Sequence, residues 1–153
     1  MKLLLPVDGS TLSVGAVRHV LKLRSEGLQF SLVLANVQEP AHLYELLMVH
    51  DTDAIDRLSA EAGLHALQES RSLLDEAGID YELEVAKGDP AHTLVEMAER
   101  FGCDMIVMGA RGTSKMRSAM LGSVSHEVLH GSSMPVMIVK DQDDVDADDP
   151  ETA

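Results

Sequence analysis

The chain has 153 residues, enough for one compact domain with a sizeable core, at 45 % hydrophobic and 25 % charged residues. Its net charge of −14 sets it against general nucleic-acid binding, which needs clustered Lys and Arg, and no apolar run is long enough to cross a bilayer. Residues 141–153 hold Asp141, Asp143, Asp144, Asp146, Asp148, Asp149 and Glu151 without a base, and so read as a disordered acidic tail on a domain of residues 1–140. Residues 2–7 form an apolar run without polar alternation, the pattern of a strand covered on both faces. The run Leu3-Leu4-Leu5-Pro6-Val7 is too short for a signal peptide and ends at Asp8, and lone Cys103 has no partner for an internal disulfide; a cytoplasmic protein is expected.

Residues 11–26 repeat Val14, Val17 and Leu21 at helical spacing, with Ser10 or Thr11 as cap and Gly27 as stop. Residues 30–37 predict strand two. The segment 40–53, with Leu43, Leu46 and Leu47, reads as a short helix or a flap. One long helix is expected over 54–77, with Leu58, Ala62, Leu67, Leu73 and Leu74 among its buried residues and Gly78 at its end. Residues 79–86 alternate apolar and polar types, as near a sheet edge. Asp89 caps a helix with Pro90 at its first position, ending at Arg100. Strand four follows at 104–108, a short helix at 123–130 and strand five at 135–139. Strands separated by helices predict a doubly wound, Rossmann-like α/β fold with a five-stranded parallel sheet and helices on both faces.

Ligands of such folds bind beyond the carboxyl ends of the strands. Those ends carry Asp8-Gly9-Ser10, Val37 and Gly109-Ala110-Arg111-Gly112, and Gly122-Ser123 then opens the last helix in a Gly-x2-Gly-x9-Gly-Ser spacing. Glycines let the backbone approach a phosphate closely, and a helix start supplies N–H donors and a positive dipole end. Arg111, Lys115 and Arg117 make this the densest basic cluster of an acidic chain. The spacing is not a Walker loop, and a purely structural glycine turn remains the alternative reading.

The residues around these turns resemble the universal stress proteins over about residues 1–140. The resemblance rests on Pro6-Val7-Asp8-Gly9-Ser10, Asp104-Met105-Ile106-Val107-Met108-Gly109, the full Gly109-x2-Gly112-x9-Gly122-Ser123 spacing and Pro135-Val136-Met137-Ile138-Val139. It implies a sheet order of 3-2-1-4-5 and membership of the branch that binds ATP or a related adenine nucleotide. By the same resemblance Asp8 meets the adenosine through the ribose and Val37 holds the adenine by its backbone, with Pro6 and Val7 also counted among the nucleotide-binding residues. Met108 and Gly109 would floor the ribose and phosphates. Gly112, Gly122, Ser123 and Val124 would give backbone or hydroxyl bonds to the phosphates, accompanied by Mg²⁺ or Mn²⁺, and Arg111 of the basic cluster is counted among the nucleotide-binding residues. Strand five would pair with its counterpart in a homodimer, or within a higher oligomer. No nucleic-acid or membrane partner is expected, and no downstream protein partner is legible.

His126-Glu127-Val128-Leu129-His130 spells the His-Glu-x-x-His pattern of zinc proteases, yet no further histidine follows to complete a ligand set. Cys103 lacks a neighbouring thiol or base and reads as a buried small residue. With neither a nucleophile elbow nor a base placed to activate water, a nucleotide-dependent stress sensor with at most slow ATP hydrolysis is expected. The alternatives are an interaction module of the same fold that binds no nucleotide, and an adenylating or electron-transferring enzyme, which would need further motifs.

Overall fold

The computed structural model describes residues 1–40, 48, 51–111 and 120–140. Strands β1 (Lys2–Pro6), β2 (Ser31–Gln38), β3 (Tyr81–Lys87), β4 (Met105–Gly109) and β5 (Val136–Val139) form one sheet. Its order is β3-β2-β1-β4-β5, and every neighbouring pair is parallel. The connections are α1 (Thr11–Ser25), α2 (Thr52–Ala66), α3 (Gln68–Glu76), α4 (Pro90–Arg100) and α5 (Ser123–Gly131). The expected doubly wound α/β class and the 3-2-1-4-5 order are both observed. No described helix is long and apolar enough to cross a membrane.

The unbroken apolar run of β1 follows from burial on both sides. Leu3 and Leu5 pack with Leu32, Leu34 and Val107 against Ala16, Val17 and Val20 of α1 and Leu74 of α3. Leu4 points the other way, joining Val33, Ala35, Ile106 and Met108 against Leu94 and Met97 of α4 and Val128 of α5. Leu3, Leu4 and Leu5 are at most 1 % exposed, and each such side chain stabilises the fold by about 1.5–3 kcal/mol. The edge position expected for the third strand is also observed.

Helix ends follow local chemistry. The Ser10 hydroxyl accepts from the Ser13 N–H at 3.2 Å to start α1, and Asp89 accepts from the His92 N–H at 2.9 Å ahead of Pro90. Gly27 and Gly78 adopt φ of +106° and +66° just past α1 and α3, a conformation that costs other residues more.

The long helix expected over 54–77 is instead two, α2 and α3, joined at Leu67 with φ −89° and ψ −8°. Leu67 and Leu74 are fully buried, as expected, and Leu73 is half-buried, whereas Leu58 is 63 % exposed and Ala62 is exposed. The reason is the position of α2. It lies over the carboxyl ends of β2 and β3, where Ile55 and Gly63 are its buried residues, and Leu58 and Ala62 overhang a cleft. Gly63 sits so close to β3 that a Cβ there would fall 2.5 Å from Val85 Cγ1. Most of the expected 40–53 segment and the acidic tail at 141–153 lie outside the described residues.

Candidate functional site

The sheet order reverses at β1: α1 leads from β1 to β2 on one side, while α4 returns the chain to β4 on the other. Such a switch point leaves a crevice beyond the strand ends. Here it is a cleft of about 850 Å³, within the range of small-molecule sites.

The expected site residues reach this cleft from four places. Pro6, Val7 and Asp8 come from the end of β1, and Val37 from the end of β2. Met108, Gly109 and Arg111 come from β4 and its exit, and Gly122, Ser123 and Val124 from the start of α5. Gly112, Lys115 and Arg117 lie outside the described residues.

At the β1 end, the Ser10 N–H donates to Asp8 Oδ1 at 2.9 Å, an Asx turn that fixes the carboxylate at the mouth of the cleft. Gly9 supplies the φ of +84° that this turn needs. Ser13 stitches the turn to α1: its hydroxyl donates to the Ser10 carbonyl at 2.9 Å and accepts from the Asp8 N–H at 3.4 Å.

At the β4 end, glycine is required by closeness. A Cβ on Gly109 would stand 2.9 Å from the Leu12 carbonyl oxygen and 3.0 Å from its carbon, backbone atoms of the first turn of α1. The buried Ser125 hydroxyl donates to the Gly109 carbonyl at 2.9 Å, and the Gly122 N–H donates to the Ala110 carbonyl at 2.8 Å. These two bonds seat the start of α5 on the exit of β4. The N-cap of α5 is Gly122, which has no side chain to accept from the first N–H groups of the helix. Those donors and the positive end of the helix dipole therefore stand beside the cleft, an arrangement suited to an anion.

The opposite wall was not foreseen. Asn36 and Gln38 of β2, Ile55 and Leu58 of α2 and Pro90 of α4 line it. Asn36 is 3 % exposed; its Nδ2 donates to the Val7 carbonyl at 2.8 Å, and its Oδ1 accepts from Gln38 Nε2 at 2.6 Å. The signal available in the sequence was an Asn inside the apolar run of strand two. The cleft lining thus mixes apolar side chains such as Val37, Leu58 and Met108 with the polar Asp8, Asn36, Gln38 and Ser59.

His126 and His130 stand side by side on α5 with ring centroids 4.5 Å apart, both exposed. Neither belongs to the cleft lining, and among the described residues no three His, Cys, Asp or Glu side chains gather as metal ligands would. Cys103 is buried, and that burial pushes its thiol pKa up, partly opposed by the charge of Lys2.

The sequence matches the family model of the universal stress protein family over residues 1–140. It is similar to the universal stress protein YxiE of Bacillus subtilis, 34 % identical over 91 % of this chain and 98 % of that one. Among solved structures it resembles MJ0577 of Methanocaldococcus jannaschii, with a TM-score of 0.75 and 26 % identity over 92 % of this chain and 96 % of that one. A universal stress protein solved in complex with cAMP is also similar, with a TM-score of 0.68 and 27 % identity over 91 % and 96 % of the two chains. With this match across nearly its whole length, the chain belongs to the universal stress protein family.

Proposed function

We propose that the protein binds ATP or a related adenine nucleotide in this cleft and acts as a nucleotide-dependent switch in the response to stress. The observation that carries the reading is the start of α5, which has no side-chain cap and opens onto a cleft of about 850 Å³ that Asp8 and Val37 line from other strands. The phosphates would meet the N–H groups of Ser123 and Val124 and the Ser123 hydroxyl, Arg111 and Gly112 would add to this end, and Asp8 would accept from the ribose hydroxyls. The apolar side chains of Val37 and Met108 in the lining suit a base. The relative that holds cAMP supports the adenine class.

Mg²⁺ or Mn²⁺ would travel with the phosphates. Among the described cleft residues the carboxylates are Asp8 and Glu39, enough to touch a hydrated ion but too few for a protein cage. Among the described residues the cleft lining holds no histidine, and hydrolysis would be slow at most. The working form is a cytoplasmic homodimer joined along β5, an edge strand whose four residues are only half-buried in the single chain.

Calorimetry with Mg-ATP at about 100 μM protein tests the reading. Saturable binding with a Kd in the micromolar range is expected; an absence of heat there, with no co-purified nucleotide, would leave only millimolar affinity and would overturn it.

A further inference from the structure

Within a parallel sheet, alternate residues of a strand turn both their N–H and C=O groups to the same neighbour. In β2 the Ala35 carbonyl accepts from the Val7 N–H at 2.8 Å, so Ala35 faces β1. The Gln38 carbonyl accepts from the Gly88 N–H at 3.0 Å, so Gln38 faces β3. Val37 therefore has the parity of Ala35, and both of its backbone groups turn towards β1. But β1 ends at Pro6, opposite Ala35, and the chain then leaves through the Asp8 turn.

If the ladder ran one step further, the Val37 N–H would donate to the Val7 carbonyl. That carbonyl instead accepts from Asn36 Nδ2 at 2.8 Å, and the Val37 N–H makes no such bond. The Asn36 amide is held in this orientation by Gln38 Nε2 at 2.6 Å from Oδ1. Gly63 of α2 gives it room, since a Cβ there would fall 3.0 Å from Asn36 Oδ1. A buried polar side chain in a hydrophobic strand thus ends the β1–β2 pairing one residue early. What it leaves is a donor and an acceptor of one residue, side by side at the rim of the cleft.

We propose that Asn36 is a positioning residue that occupies the Val7 carbonyl and so reserves the N–H and C=O of Val37 for the base edge of the ligand. The inference rests on the adenine-nucleotide reading above and names a specificity determinant for it. Adenine presents an acceptor (N1) beside a donor (the N6 amine), which matches a backbone N–H and C=O. Guanine presents a donor and an acceptor in the reverse order at those positions and leaves both pairs mismatched.

The test compares wild type, Asn36→Ala and Gln38→Ala by amide hydrogen exchange without nucleotide and by calorimetry with Mg-ATP and Mg-GTP. In the wild type the Val37 amide exchanges fast. In Asn36→Ala the freed Val7 carbonyl takes the Val37 N–H, and exchange there slows by about tenfold or more, whereas a merely structural loss would speed it. ATP affinity falls by about tenfold and the preference for ATP over GTP shrinks by a similar factor. Gln38→Ala, a change at a half-buried side chain, shifts the preference the same way by less and serves should Asn36→Ala fail to fold. A Val37 amide already protected in the apo wild type, or an ATP-to-GTP ratio unchanged in the folded variants, overturns the proposal. If the wild type binds neither nucleotide, the adenine reading falls, and the exchange comparison alone decides whether Asn36 holds the Val37 edge open.

Discussion

Gly109 lies against Leu12 so closely that one added carbon would stand 2.9 Å from the Leu12 carbonyl oxygen. The floor of the cleft and the first turn of α1 are therefore in direct backbone contact, and neither can yield as a flexible side chain would. Gly109→Ala is expected to push β4 and α1 apart, lowering stability by about 1–3 kcal/mol in urea unfolding and weakening nucleotide binding together with it. A variant of unchanged stability and affinity would show that the contact is looser than this.

Ser125→Ala removes the buried bond to the Gly109 carbonyl while leaving the apolar packing of α5 in place. The orphaned carbonyl predicts a loss of about 1–3 kcal/mol, read from the urea midpoint at constant slope. Because the same bond seats the start of α5, ATP affinity should fall as well, and adenosine affinity should not.

Much of this architecture was legible in the sequence, and the exceptions share a cause. The Asp89-Pro90 helix start, the Gly27 and Gly78 stops and the alternating edge strand are local signals, each decided within a few residues. The division of 54–77 at Leu67 was not local. Leu58 and Leu67 look alike in sequence, and only the placement of α2 over a cleft separates an exposed leucine from a core one. The role of Asn36 is not legible locally for the same reason, because its partner Val7 is 29 residues away. The glycines and the helix start of the candidate site were legible because close backbone approach restricts residue type at Gly109, and because Gly122 opens α5 as its N-cap. The α2 wall was not, because apolar residues there have the same composition as a core.

Cys103 is expected to be inert in the native protein. It is 8 % exposed and its thiol pKa is raised by burial, so thiol reagents should modify it at least about tenfold more slowly than in the unfolded chain. The sign of the pH effect follows. The folded state favours the protonated thiol, so its contribution is intact below the ordinary thiol pKa of about 8.5 and is lost as pH rises through the raised folded value. Wild type should therefore lose stability in alkaline solution relative to Cys103→Ala, and parallel pH profiles would contradict this.

The His126–His130 pair should be dispensable for the cleft. Replacing both by Ala is expected to leave ATP affinity within about twofold, and EDTA should leave the unfolding temperature of the nucleotide-free protein unchanged. A fall of several degrees with the chelator would instead reveal a structural metal.

The most direct test of the central claim is an amide NMR titration comparing Mg-ATP with adenosine. Phosphate capture by the start of α5 predicts that ATP moves the Ser123, Val124 and Ser125 amides strongly. Adenosine should move Val37 and the Asp8 turn and leave those three in place. ATP binding that leaves the Ser123 to Ser125 amides unshifted, or equal shifts with adenosine, would contradict it.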